Sequence, residues 1–180
     1  TSGLPDLHHA VAEARDLIHL WPKGQLHIEE EISGEGILGA GRAGGLLHLA
    51  MHTRLGERAP GEMVLALPGG ATLQVAGIRA GEWRAELVTL SGCQTKGDGL
   101  PYLDLAGSFL DAGVGEVLAS SLRVPDAAGR EFFVAFYRTL LTGLPPEQAL
   151  RLTQLKFRDG PPERAAPYYW SGYRLMRRAH

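Results

Sequence analysis

At residues 46–52 the chain reads Leu46-Leu47-His48-Leu49-Ala50-Met51-His52, an apolar run that follows a glycine-rich segment. A short apolar run with such flanks predicts a buried strand over residues 46–51, with His52 at its carboxyl end. A second run, Glu86-Leu87-Val88-Thr89-Leu90, predicts another buried strand. It leads directly into Ser91-Gly92-Cys93-Gln94-Thr95. Both strands therefore end in residues that can carry chemistry.

Amphipathic helices are predicted around these strands, because apolar residues recur at helical spacing. The predicted helices are Leu7–Leu20, Ser33–Gly41 (capped by Ser33 and ended by Gly41), Tyr102–Ala112, Gly129–Leu141 and Pro146–Lys156. The other predicted extended segments are Gln25–Ile28, a hairpin of Met63–Leu67 and Ala71–Val75, Glu116–Ser120 and Tyr168–Leu175. Alternation of short apolar strands with helices is typical of an α/β domain whose mainly parallel sheet is covered on both faces.

The chain shows no internal repeat, low-complexity tract or linker, so we expect residues 1–180 to form one domain. It begins at Thr1 and enters a helical pattern almost at once. We therefore expect a domain cut from a longer protein, or one processed at its N-terminus.

Composition excludes several classes of function. The 18 Lys+Arg and 20 Asp+Glu residues give a formal net charge of −2 with no basic run, so we expect no direct nucleic-acid partner. No apolar run approaches the ~20 residues that cross a bilayer, and we expect no membrane partner. No secretory signal is visible, and the single cysteine cannot form an internal disulfide. A reducing cytoplasm is the predicted location.

The two strand ends predict covalent catalysis. Ligands bind at the carboxyl ends of strands in open α/β sheets, so His52 and Cys93 come within reach if the strands are neighbours. A thiol with a pKa of ~8.5 becomes a strong nucleophile when it ionises, and an imidazole can exchange its proton near neutral pH. Gly92 would let the backbone turn sharply, so that amide N–H groups face a substrate carbonyl.

Two segments resemble the signatures of the CHAT family, caspase-like domains found with tetratricopeptide repeats. They are Leu47–His52, where the family typically reads H-x-A-T-H-G, and Leu90–Thr95, where it reads L-S-A-C-E-T-G. Further segments resemble the family in the same order along the chain: Leu4-Pro5, Leu105–Gly113, Val117–Asp126, Phe136-Tyr137 with Leu140-Leu141, Pro146–Leu150 and Pro167–Trp170. Each likeness is weak alone, but together they cover nearly the whole chain.

The resemblance implies the three-layer caspase-like fold, shared with separases and caspases, and a cysteine endopeptidase that needs no cofactor. It assigns His52 and Cys93 as the catalytic dyad, and the backbone amides of Thr53 and Cys93 as oxyanion donors. It also implies a protein substrate and a regulatory or repeat-containing domain or partner outside this chain.

Several residues depart from the family pattern. Thr53 stands in place of the usual glycine, and Gly92 in place of alanine. Gln94, Lys96 and Arg123 replace the usual Glu, Gly and Trp. These departures leave a second hypothesis open, in which the domain is catalytically degenerate and serves as a protein-interaction scaffold.

Substrate preference is open to two interpretations. In this fold the pocket for the residue before the scissile bond maps to Ser91 and to the loop Arg123–Asp126. An acidic floor at Asp126 would favour a basic substrate residue, whereas an inward Arg123 would favour an acidic one. Asp98, in Gly97-Asp98-Gly99, is either a rim acid or a turn residue. We favour Asp126.

His48 and His52 stand four residues apart, which raises the question of a metal site. No HExxH motif or third ligand follows, so we predict no metal and read His48 as a hydrogen-bonded core histidine. The glycines at 39, 41, 44 and 45 lack the Gly-Lys-Ser/Thr ending of a phosphate loop, and we predict a flexible turn there.

Overall fold

A computed structural model describes residues 8–28, 31–56, 63–92, 100–122 and 124–178. The helices are α1 (His8–Leu20), α2 (Gly34–Ala43), α3 (Val75–Arg79), α4 (Leu100–Asp111), α5 (Asp126–Leu140), α6 (Pro146–Arg158) and α7 (Pro162–Ala165). The strands are β1 (Gly45–Ala50), β2 (Thr53–Leu55), β3 (Met63–Ala66), β4 (Thr72–Gln74), β5 (Ala85–Ser91), β6 (Glu116–Ser120) and β7 (Tyr173–Arg177). No helix among these residues is long and apolar enough to cross a membrane.

The main sheet has the strand order β1-β5-β6-β7. The pairs β1–β5 and β5–β6 are parallel, and β7 runs antiparallel to β6 at the edge. Side chains of β5 alternate between the two faces, because successive residues of a strand point to opposite sides. Val88 and Leu90 enter one apolar cluster and Leu87 enters the other. The predicted α/β class with a mainly parallel, twice-covered sheet is confirmed.

Two apolar clusters cover the two faces of the sheet. One contains residues of α2, α3, α4 and the small strands, with Phe109 and Ile78 fully buried. The other lies under α1, α5 and α6, where Phe132, Phe133 and Phe136 fill the interior. The result is three layers, with helices on both faces of the main sheet.

The predicted hairpin belongs to a small antiparallel sheet, β2-β3-β4. Met51 and His52 connect β1 of the main sheet to β2 of this small sheet. The strand β2 was not predicted, because three residues are too few to show an alternating pattern. Thr53 opens β2 and is buried, a position that suits a β-branched residue.

Several predicted boundaries were wrong, among them those of α2, α5, the hairpin and the last strand. Helix α2 has the predicted Ser33 cap, whose hydroxyl accepts the Gly36 N–H at 3.0 Å, but it continues through Gly41 to Ala43. Gly41 is there because its missing side chain makes room for the Trp83 ring, and Gly44, with φ of 88°, ends the helix. Helix α5 begins three residues earlier than predicted, at Asp126.

The other two errors concern strand ends. Val75 begins α3 instead of closing the hairpin. The last strand starts at Tyr173, since Pro167–Tyr169 forms a short 3-10 turn. Residues 25–28 have no regular secondary structure.

Candidate active site

The carboxyl ends of β1 and β5 lie side by side. Their parallel register pairs Ala50 with Ser91, and the Met51 N–H donates to the Ser91 carbonyl at 3.0 Å. In the sequence, His52 follows Ala50 by two residues, and Cys93 follows Ser91 by two residues. Cys93 itself lies outside the described residues. The condition that the sequence analysis set, that the two strands are neighbours, is met. The contact between imidazole and thiol stays a prediction.

His52 lies in the link between the two sheets. Its backbone carbonyl accepts the Ala66 N–H at 2.9 Å, which fixes the main chain at this point. The side chain is half-buried. Thr53, the predicted oxyanion donor, follows in an extended strand, so this position does not require the positive φ that glycine would supply. Its role as a donor stays a prediction.

Gly92 is needed for space rather than for backbone freedom. A Cβ placed on it would lie 2.1 Å from the Met51 carbonyl oxygen, a separation at which something must move. Its φ is not in the positive region, so a left-handed backbone is not what requires glycine here. The sharp turn that was expected towards Cys93 involves residues outside the described ranges and stays a prediction. Glycine here lets the ends of β1 and β5 approach each other directly before the predicted nucleophile.

Glu13 of α1 reaches both strands from below the site. Its side chain is almost fully buried, with 4% exposure. The Ser91 hydroxyl donates to Glu13 Oε2 at 2.9 Å, and His48 Nε2 lies 3.2 Å from Glu13 Oε1. The second contact is at hydrogen-bond distance without hydrogen-bond alignment. A buried carboxylate thus joins β5 to β1 two residues before Cys93.

His48 has the structural role that the sequence predicted. Its Nδ1 lies 2.6 Å from the Thr89 hydroxyl, and that hydroxyl lies 2.7 Å from the Tyr137 hydroxyl. The imidazole ring packs edge-on against Phe133 and Tyr137 of α5. Burial raises the pKa of Tyr137 far above its usual value, an effect that the Thr89 hydrogen bond partly offsets. Tyr137 therefore remains a neutral phenol.

Glu13, Thr89 and Tyr137 were not predicted as site residues. Glu13 could have been found, because it lies three residues after Ala10 and four before Leu17. Both of those residues were assigned to the apolar face of the first helix, so Glu13 shares that face. An acid on a buried helical face requires a partner, and His48 is the basic residue of the neighbouring strand.

Two residues predicted to bind substrate meet at one small cavity. Ser91 and Asp126 both line it, together with Glu13, Ser120 and Tyr173. Its volume is about 30 Å³. That volume exceeds the ~10–15 Å³ that a bound water molecule needs. Asp126 is half-buried at the first turn of α5, not in a loop.

Asp98 and Arg123, the other candidates for the pocket, lie outside the described residues. Within those residues no group of three His, Cys, Asp or Glu side chains could hold a metal ion. A much larger groove, of about 1780 Å³, runs between α1, α2 and β1 and reaches His52.

A mostly parallel α/β sheet with helices on both faces is the architecture of a caspase-like domain. The sequence profile of the CHAT domain matches residues 1–178, so the chain belongs to the CHAT-domain family, a caspase-like peptidase family. The resemblance read from the sequence motifs is confirmed. No curated protein matches the chain.

Proposed function

We propose that this domain is a cysteine endopeptidase in which Cys93 is the nucleophile and His52 its proton partner. The observation that carries the proposal is the register of β1 and β5, which sets both residues two positions past the Ala50–Ser91 pair. Membership of a caspase-like peptidase family supports the same assignment. We also propose that the domain acts in a reducing cytoplasm, under the control of a sensor or repeat domain outside this chain.

The proposed reaction has two steps. His52 accepts the thiol proton, and the thiolate attacks the scissile carbonyl, whose oxyanion is held by the N–H groups of Thr53 and Cys93. The imidazolium then protonates the leaving amine, which departs and leaves an acyl-enzyme. A water molecule, deprotonated by His52, attacks the thioester and releases the acid with the free thiol.

A thiol probe tests the dyad without knowledge of the substrate. We expect Cys93 to react with iodoacetamide at neutral pH at least tenfold faster than free cysteine, because an adjacent imidazolium lowers the pKa of a thiol. The His52→Ala variant should lose that advantage. The rates are followed by mass spectrometry of the intact chain.

His19→Ala is the matched control, since His19 is exposed on α1 and its hydrogen-bond partner among the described residues is the Arg15 carbonyl of the same helix. A Cys93 that reacts like free cysteine, with no change in His52→Ala, would contradict the peptidase proposal.

The size of the cavity at Ser91 and Asp126 favours a second candidate function. The described lining leaves a space of about 30 Å³, which is small for a substrate side chain and fits a scaffold without a substrate pocket. The scaffold hypothesis predicts that Cys93→Ala leaves binding of partner proteins intact and that the wild type cleaves none of them. The peptidase hypothesis requires the pocket to open when substrate binds.

We propose further that the open pocket takes a basic side chain, because Asp126 and Glu13 both line it. In Asp126→Asn, kcat/KM for peptides with Arg or Lys before the scissile bond should fall about 30-fold, the effect of removing one partner of a desolvated charge pair. Peptides with a neutral residue there should change little. A peptide library, assayed with wild type and variant, measures both values.

Asp104→Asn, an exposed acid on α4, is the control for a general loss of charge. An equal loss for basic and neutral peptides in Asp126→Asn would contradict the assignment of Asp126 to the specificity pocket.

A further inference from the structure

A line of buried and half-buried polar side chains crosses the domain next to the predicted dyad. It joins Ser91, Glu13, His48, Thr89 and Tyr137 through four contacts of 2.6 to 3.2 Å. The members come from α1, β1, β5 and α5, so the line connects one helical layer to the paired strands β1 and β5. Buried polar groups of this kind must satisfy one another, because water cannot.

The positions of the hydrogen atoms follow from the Tyr137 end. The neutral phenol donates its hydrogen to the Thr89 oxygen, since Thr89 is its one hydrogen-bond partner in the described part of the chain. The Thr89 hydroxyl then donates to His48 Nδ1. An imidazole that accepts at Nδ1 is neutral and carries its hydrogen on Nε2. That hydrogen faces Glu13 Oε1.

Hydrogen bonds donated in the opposite direction would leave the Tyr137 hydroxyl without an acceptor. A protonated His48 would donate from Nδ1 to Thr89, and Thr89 would then donate to the Tyr137 oxygen. The phenol hydrogen of Tyr137 would be buried with no acceptor among the described residues. The line therefore carries one charge, the carboxylate of Glu13, which accepts the Ser91 hydroxyl and faces the Nε2–H of His48.

This arrangement places Glu13 between the two strand ends. His48 belongs to β1 and precedes His52 by four residues in the sequence. Ser91 is the last residue of β5 and precedes Cys93 by two. A second contact between the same strands, His48 with Thr89, lies on the other side of the imidazole. The imidazole of His48 and the carboxylate of Glu13 thus link β1 to β5, close in sequence to the proposed dyad.

We propose that Glu13 and neutral His48 are positioning residues, which hold the ends of β1 and β5 so that His52 and Cys93 meet in one geometry. The part of this inference that concerns the dyad rests on the proposed peptidase function. The part that concerns the protonation of His48 does not depend on it.

Two measurements test the inference. The first is the long-range ¹H–¹⁵N NMR spectrum of the imidazoles, with His48 assigned by its loss in His48→Gln. At neutral pH we expect an Nε2-protonated, neutral ring with Nδ1 as acceptor. A charged ring, or a proton on Nδ1, would overturn the ordering of the line.

The second measurement is the iodoacetamide reaction of Cys93 as a function of pH in Glu13→Gln. We expect about a tenfold slower reaction at neutral pH, the usual size of an effect that acts through a neighbouring residue. The pH at which the thiol becomes reactive should rise toward that of free cysteine. The double variant Glu13→Gln/His52→Ala should be no slower than His52→Ala alone, because the positioning effect acts through His52.

Thr153→Val is the matched control for loss of a buried polar group, since its hydroxyl is buried and donates to Ala149 within α6. If Glu13→Gln alters only thermal stability, as Thr153→Val does, or if its effect adds in full to that of His52→Ala, the positioning role is overturned. If His52→Ala alone leaves Cys93 reactivity unchanged, the peptidase proposal fails and the positioning role fails with it. The NMR result then still decides the state of His48.

Discussion

Replacing His52 with alanine should reduce cleavage of a susceptible peptide by about 10⁴-fold or more, and Cys93→Ala should do the same. The two residues act as one unit in the proposed reaction, so loss of either removes the covalent route. The double variant should be no worse than either single variant, because effects within such a unit are not additive. Initial rates with a peptide library, screened for any substrate of the wild type, supply the measurement.

Circular dichroism and thermal unfolding of both variants establish that the fold is retained. His52 is half-buried and its backbone is fixed by Ala66, so removal of the ring should leave β1 and β2 in place. Turnover that survives in Cys93→Ala would move the chemistry to another residue and contradict the proposed mechanism.

Gly92→Ala should damage both stability and activity. The new methyl group would lie 2.1 Å from the Met51 carbonyl oxygen, and neither atom belongs to a flexible side chain. The strand ends must separate, which we expect to lower the free energy of unfolding by about 2 kcal/mol. A displacement of about 1 Å at a catalytic group can slow a reaction ~100-fold, and cleavage should fall by that amount.

Urea unfolding and kcat/KM measure the two effects. Gly107→Ala is the control, since Gly107 lies within α4 and a Cβ there meets nothing within 4 Å. That change should stabilise the domain by up to about 1 kcal/mol, because alanine favours a helix interior. Unchanged activity in Gly92→Ala would show that the approach of β1 to β5 does not set the active geometry.

The family's alanine at the position of Gly92 makes this variant informative. In this chain the Met51 carbonyl occupies the space that a methyl group would need.

The two strands that lead to the candidate dyad were predictable because they depend on local patterns. Leu46–Met51 and Glu86–Leu90 are apolar runs of strand length, and both form strands of the main sheet within one residue of the expected bounds. His48 was predictable as a core residue for the same reason, since it lies within an apolar run and was expected to need a hydrogen-bond partner.

The residues that surround the site were harder to predict, because their roles depend on distant partners. Glu13 meets Ser91 across 78 positions of sequence, and Thr89 meets Tyr137 across 48. No local pattern reports such a contact. The start of α5 was misplaced for a related reason: Pro125 precedes Asp126, and the helix begins at the residue after the proline without a side-chain cap. Asp126 was therefore expected in a loop.

The first helix has a practical consequence for work on fragments of this domain. Helix α1 is part of the candidate site, because its Glu13 contacts Ser91 of β5 and His48 of β1. A fragment trimmed to the start of α2 would keep the main sheet and both predicted catalytic residues. It would leave His48 and Ser91 facing solvent where the carboxylate had been. Limited proteolysis that removes α1 should therefore be read as damage to the site, even where the remaining strands stay folded.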